Sequence, residues 1–141
     1  MLNISKIAAA VLIISLLILG FSGCQGHAHG DHAQLGLNNG AKWKADSGTN
    51  AHVTALLQIA QANNPQTLAD YQNAGNTFQN ELNNLIKDCR MQGPDHDALH
   101  QWLEPLLASN KKLMEAENQD AASAIFNEQK EHIQLYFTYF E

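Results

Sequence analysis

The stretch LNNLIKDCRMQGPDHDALHQWLEPLL, residues 82–107, decides the predicted fold. Apolar residues recur every three or four positions on both sides of Gly93-Pro94, which is the period of an amphipathic helix. Gly and Pro interrupt the pattern, and the acidic Asp95 that follows them suits the N-terminus of a new helix. The stretch therefore predicts two helices joined by a tight turn.

Helical periodicity extends in both directions from this hairpin and predicts four helices in all. They are expected at about residues 47–63, 65–90, 95–117 and 120–140. Ser47 or Thr49 is the expected N-cap of the first helix, Pro65 is expected in the first turn of the second, and Pro105 should kink or locally break the third. Short loops between amphipathic helices predict an all-α, antiparallel up-down-up-down four-helix bundle.

The first 23 residues have the layout of a secretory signal peptide. Lys6 precedes an apolar run over residues 7–21, and small residues follow it. The run is shorter than the roughly 20 apolar residues that a membrane-spanning helix needs. An N-terminal anchor that stays uncleaved is the alternative.

The apolar run ends in LGFSGC, residues 19–24, which resembles the lipobox of bacterial lipoproteins. The resemblance implies cleavage after Gly23 and lipidation of Cys24, whose acyl chains would together hold the protein firmly on a membrane. Phe21 departs from the pattern, which usually has Leu there. Because Gln25 rather than Asp follows the cysteine, the resemblance also implies sorting to the outer membrane, facing the periplasm.

The predicted organisation is a signal peptide (1–23), a lipidated, His-rich flexible tether (24–45) and a helical domain (46–141). Leu35, Leu37 and Trp43 of the tether are expected to fold back on the domain as a hydrophobic flap. Without Lys6 the mature chain has seven basic and 14 acidic residues, a formal charge of about −7. This balance leaves no basic patch, so nucleic-acid binding is not expected.

A candidate metal site follows from the inward faces of the predicted helices, and it consists of Cys89, Met91, His96, His100 and His132. His96 and His100 are four residues apart, so one helix face should present both imidazoles. Cys89 and Met91 are expected at the same end of the bundle. His132 would either bind the metal itself or hydrogen-bond to one of the metal ligands. Thiolate and thioether favour monovalent copper, whereas imidazole also suits zinc and nickel. The alternative is that each residue is structural, a buried cysteine being an ordinary core residue.

The tether contains a second candidate metal-binding segment. HAHGDH, residues 27–32, brings His27, His29 and His32 within six positions, and short His-rich tracts are typical of metal binding. Binding there would be weak, because ordering a flexible chain costs backbone entropy. The alternative is a hydrophilic spacer.

Two segments of the mature chain resemble one group of proteins. LNNGAKW (37–43) and MQGPDHDALHQWLEPL (91–106) are similar to segments of small, uncharacterised bacterial lipoproteins and periplasmic proteins, and the likeness covers most of residues 35–107. It implies no functional residue. At the level of fold the chain is also similar to haem-binding four-helix cytochromes, but the Cys-x-x-Cys-His attachment motif is missing, so covalent haem is excluded. Noncovalent haem on Met91 or Met114 with a histidine is a further alternative.

The sequence thus favours a membrane-anchored periplasmic lipoprotein that binds copper for buffering, delivery or sensing. The alternative is a structural or interaction lipoprotein that presents its helices to an unidentified envelope protein. An enzyme is not expected, because the sequence lacks a nucleophile motif and a Gly-rich phosphate loop.

Overall fold

The structure is a computed structural model that describes residues 35–141. The predicted signal peptide, the lipidation residue Cys24 and the tether histidines His27, His29 and His32 lie outside the described residues. The described chain forms α1 (Ser47–Ala62), α2 (Leu68–Asp88), α3 (Gly93–Met114) and α4 (Gln119–Tyr139). These helices pack around one shared apolar core, which confirms the all-α four-helix bundle.

Side-chain hydrogen bonds set where the first two helices begin. The Asp46 carboxylate accepts from the Thr49 amide at 2.6 Å, so Asp46 is the N-cap of α1 instead of Ser47 or Thr49. Thr67 and Asp70 form a capping box that starts α2 at Leu68. Pro65 therefore precedes α2 and does not lie in its first turn.

Pro105 lies inside α3 and does not break it. The helix continues from Gly93 to Met114, although an interior Pro removes one amide donor and crowds the preceding turn. Trp102 and Leu106, on either side of Pro105, are both buried in the core. Packing on both sides thus holds the helix together across the proline.

The centre of the bundle is rich in aromatic side chains. Trp102 is 1% exposed, and its ring lies edge-on to Tyr136 with centroids 5.0 Å apart. Tyr136 in turn stacks on Phe140, just beyond α4, at 4.7 Å. Gly75 lets α2 approach α3 closely, since a Cβ there would lie 2.8 Å from Met114 Cγ.

Residues 35–45, predicted to belong to the tether, are hydrogen-bonded to residues 139–141. We call residues 35–45 the N-terminal strap. The Trp43 amide donates to Tyr139 O at 2.8 Å, and the Glu141 amide donates to Trp43 O at 3.0 Å. Leu35 and Trp43 pack against the core, as the flap prediction requires, but Leu37 is exposed. The Asn-Gly signal forms a tight turn, with Asn39 at φ 51° and Gly40 at φ 90°.

Hydrogen bonds of the strap and of Asp46, which follows it, meet several helix ends at what we call the strap pole. Asp46 Oδ2 accepts from the Arg90 amide just after α2 at 2.6 Å, and the Lys44 amide donates to Asp95 Oδ1 in the first turn of α3 at 3.0 Å. The end of α4 joins them through Trp43. The predicted up-down-up-down order requires these ends to meet, and that order stays a prediction. In the described part of the chain, none of the helices has the length and apolarity to cross a membrane.

Candidate functional site

A shallow recess near the end of α2 and the start of α3 contains three of the five predicted metal ligands. Its volume is about 60 Å³. The lining residues are Leu85, Ile86, Cys89, His96, Leu99, His100 and Leu103. The fold therefore brings one thiol and two imidazoles to the same concave surface.

Cys89 is held at the end of α2 by its backbone. Its amide donates to Leu85 O at 2.9 Å, and its own backbone is extended, so it is the C-cap of α2 and not part of the last helical turn. The Arg90 guanidinium donates to the carbonyls of Cys89 and Lys87. The side chain is half-buried and the thiol is free of any disulfide. Its backbone is thus fixed, and its half-buried side chain packs against the core while it also lines the recess.

His96 and His100 lie side by side on the first turns of α3. Their rings meet edge to face with centroids 4.6 Å apart, as the i, i+4 spacing predicts. His96 is half-buried, but the His100 side chain is 51% exposed, so the prediction that His100 faces the core is wrong. Ala98 and Trp102 take the inward positions instead. Glu104 Oε1 lies 3.4 Å from His100 Nδ1 and can orient that ring.

Met91 follows the recess in the chain but does not line it. It is half-buried and packs against the hydrophobic core.

The structure does not bring His132 into the same recess. Its Nε2 donates to Trp102 O at 2.7 Å, and the Trp102 indole N–H donates back to His132 O at 3.0 Å. The two rings stack with centroids 5.8 Å apart. His132 also lines a separate cleft of about 180 Å³ with Pro105, Ser109 and Glu128. His132 therefore links α4 to α3 by hydrogen bonds.

His52, which was not among the predicted site residues, contacts two carboxylates. Its Nδ1 lies 2.8 Å from Glu81 Oε1 and its Nε2 lies 3.3 Å from Asp88 Oδ2, both on α2. The hydrogen bond with Glu81, more than the one with Asp88, raises the pKa of His52 above its usual value. Glu81 and Asp88 are seven residues apart, which puts both carboxylates on one face of α2. This spacing is the sequence feature from which a shared partner of the two could have been predicted.

As the side chains stand, residues 35–141 contain no group of three or more His, Cys, Asp or Glu that could hold a metal ion. An ion in the recess would therefore require side chains to rotate towards it.

Comparisons with known proteins identify no relative of this chain. No protein-family model matches the chain, and no curated protein or solved structure is similar enough to count as a match. The function is therefore inferred from residues and their geometry.

Proposed function

We propose that the chain is a lipid-anchored protein of the cell envelope that binds monovalent copper through Cys89, His96 and His100. The observation that supports this most is the shared recess, because residues from the end of α2 and from two turns of α3 line it together. A thiolate is a soft ligand and imidazole is a borderline one, a combination that favours copper. Monovalent copper also accepts few ligands, so a thiolate and two imidazoles suffice.

The surroundings of the recess favour a soft ion. Leu85, Leu99 and Leu103 form apolar walls, which limit hydration of the bound ion and of the thiolate. Glu104 Oε1 lies 3.4 Å from His100 Nδ1, and a small rotation of either side chain would form a hydrogen bond that leaves Nε2 as the metal ligand. Because the Cys89 thiol must lose its proton, copper uptake should release protons and weaken at low pH.

The size of the recess distinguishes among the candidate ligands. At about 60 Å³ it is much smaller than the roughly 300–1,000 Å³ of sites that enclose drug-sized molecules. An ion fits this volume better than noncovalent haem does. Met91 joins the site only if its side chain leaves the core.

The proposed anchor is the lipid on Cys24, which would hold the domain at the periplasmic face of the outer membrane. From there the domain would buffer copper or deliver it to an envelope partner. The tether histidines His27, His29 and His32 would collect copper weakly and pass it to the recess.

The test is a copper titration of the mature chain with a chromophoric competitor for monovalent copper. We expect about one tightly bound equivalent and at least a tenfold weaker affinity in Cys89→Ser and in His100→Ala, each change costing about 1.4 kcal/mol or more. His132→Gln is the matched control, because His132 lies outside the recess, and it should keep wild-type affinity.

Two results would contradict the proposal. Unchanged uptake in both Cys89→Ser and His100→Ala would exclude the recess as the site. A wild-type protein that takes up neither copper, zinc, nickel nor iron would favour the structural or interaction lipoprotein instead.

A further inference from the structure

We propose that the strap pole also docks on the membrane, through a patch formed by Leu37, Lys42 and Phe137 that binds the surface of an anionic phospholipid bilayer. We call these three residues the strap patch. The inference rests on the lipid anchor at Cys24 proposed above, and it adds a direct contact between the folded domain and the bilayer.

Hydrogen bonds bring the three residues together. The turn over residues 38–41 is closed by the Asn38 and Ala41 backbones at 2.8 and 3.0 Å, so Leu37 and Lys42 flank it as neighbours. Lys42 Nζ then donates to Phe137 O at 2.6 Å, which links the strap to α4. The strap patch thus combines residues from both ends of the described chain, linked through Lys42.

The strap patch combines exposed apolar side chains with a positive charge. Leu37 is 46% exposed and Phe137 is 38% exposed. Lys42 donates to a backbone carbonyl and forms no direct ion pair among the described residues, whereas the neighbouring Lys44 pairs with Glu141. Both lysines, Lys44 more than Lys42, lower the pKa of the Glu141 carboxyl, so this carboxylate lies close to the patch. An ammonium group beside apolar side chains matches the layering of phosphate above acyl chains at a bilayer surface.

The net charge of the mature chain is negative, so a concentration of basic residues in the strap is unusual. The mature chain has twice as many acidic as basic residues, yet two of its seven basic residues, Lys42 and Lys44, lie in the strap. Because Glu141 pairs with Lys44, Lys42 is the one that we assign to the bilayer contact. Each basic residue near an anionic surface adds only a small attraction. Such a patch is too weak to hold the protein by itself, so it acts only on a domain that is already anchored.

The proposed lipid on Cys24 would provide this anchoring, and it lies close to the strap along the chain. Leu35, the first described residue, follows Cys24 by 11 positions, which span at most about 40 Å when extended. The strap is therefore the part of the described domain nearest to the lipid along the chain, and the anchor keeps its effective concentration at the bilayer high. This favours the bilayer over a protein partner as the occupant of the patch.

The test places the lipidated full chain in vesicles with brominated acyl chains and records tryptophan quenching. Trp43 lies next to Lys42 in the strap, and the buried Trp102 serves as an unquenched reference, since these are the two tryptophans of the chain. In phosphatidylcholine vesicles with added phosphatidylglycerol we expect quenching that Trp43→Phe removes. The double variant Leu37→Asn/Lys42→Gln should lose at least half of it.

Two matched controls should keep wild-type quenching. Lys111→Gln/Lys112→Gln removes an exposed lysine pair at the other end of α3. Leu135→Asn removes a leucine as exposed as Leu37, about 200° around α4 from Phe137 at 100° per residue. Loss of quenching in the controls as large as in the strap-patch variant would overturn the proposal.

Failure of the anchor and failure of the patch give different results. Protein that sediments with the vesicles and carries acyl chains on Cys24 by mass spectrometry, yet shows no Trp43 quenching, overturns the patch and leaves the anchor intact. Quenching that is equal with and without phosphatidylglycerol overturns the role of Lys42. An unlipidated Cys24 overturns the anchor, and the patch proposal falls with it.

Discussion

At the scale of single residues, Asn110 and Gln129 form a polar contact in an otherwise apolar core. Asn110 Nδ2 donates to Gly75 O at 3.0 Å and to Gln79 Oε1 at 3.1 Å, which ties α3 to α2. Gln129 Nε2 donates to Asn110 Oδ1 at 3.5 Å, but Gln129 Oε1 is buried without a partner. The two amides therefore contribute unequally, since an unpaired buried acceptor is destabilising.

Replacing each amide by Leu should expose this difference. Asn110→Leu is expected to lower the free energy of unfolding by about 2 kcal/mol, because it leaves the buried Gln129 amide without any partner. Gln129→Leu removes the unpaired oxygen and should stay within about 1 kcal/mol of wild type. Urea unfolding of both single variants and of the double variant measures the effects. The double variant should recover part of the Asn110→Leu loss, and strictly additive losses would contradict this assignment.

At the scale of helices, His52 joins α1 to α2 by contacts that depend on its charge. Both ring nitrogens face carboxylates, of Glu81 and Asp88, so the doubly protonated imidazolium satisfies both contacts. The pKa of His52 is raised chiefly by the Glu81 hydrogen bond. A raised pKa in the folded state means that folding favours the protonated form. The added stability is then fully present below pH 6.5, the usual value, and is lost as pH rises through the raised folded value.

The measurable consequence is a stability that falls above neutral pH. We expect urea unfolding at pH 5.5 to show a larger His52→Asn loss than at pH 9, by on the order of 1 kcal/mol, because the pair is partly solvent-screened. A Thr54→Ala variant, in the exposed part of α1, is the control and should show no such pH dependence. Equal losses for His52→Asn at both pH values would show that the imidazolium contacts do not stabilise the fold.

The helices themselves and the buried leucines of α3 could be predicted from periodicity, but the placement of its two histidines relative to the core could not. Both a stripe through His96 and His100 and a stripe through Ala98 and Trp102 fit the sequence pattern. The second is inward in the structure, because burying the large Trp102 ring removes more apolar surface from water than burying an imidazole does. Two of the predicted ligands therefore line the rim of the recess, while Cys89 could be placed correctly beside them from the short hairpin alone.

Tertiary contacts also decided other features that local patterns could not give. Asp46 caps α1 while it also accepts from Arg90, 44 residues away, so its role depends on the assembled fold. The helical pattern of α4 predicted that His132 faces inward, but it could not show that its hydrogen-bond partner would be Trp102, 30 residues earlier in the chain. Single-helix periodicity contains no information about such partners.

At the scale of the whole molecule, the strap and the C-terminal residues close the bundle together. Phe140 is buried, stacks on Tyr136 and pairs through its backbone region with Trp43. Glu141 exchanges backbone hydrogen bonds with Trp43 and Ala45. The strap is thus part of the folded domain, and its stability depends on residues at the end of the chain.

Phe140→Ala should therefore destabilise the bundle and loosen the strap at once. We expect a loss of about 3 kcal/mol in the free energy of unfolding, from lost burial and the cavity left behind. Trp43 should become more accessible to acrylamide quenching, while Trp102 stays protected in the core. Phe137→Ala, at an exposed position three residues earlier, is the control and should change the stability by less than about 1 kcal/mol. An unchanged Trp43 accessibility in Phe140→Ala would show that the strap is held independently.

The pairing of Trp43 with Phe140 has a consequence for the order in which the chain matures. Lys44 and Glu141, whose side chains meet in this pairing, are 97 positions apart. The strap is synthesised, and on the proposed export route also translocated, before residues 139–141, so it must wait without its backbone partners until they arrive. A chain in which residues 139–141 have not yet arrived would therefore keep its first segment open, and a protease could tell the two stages apart.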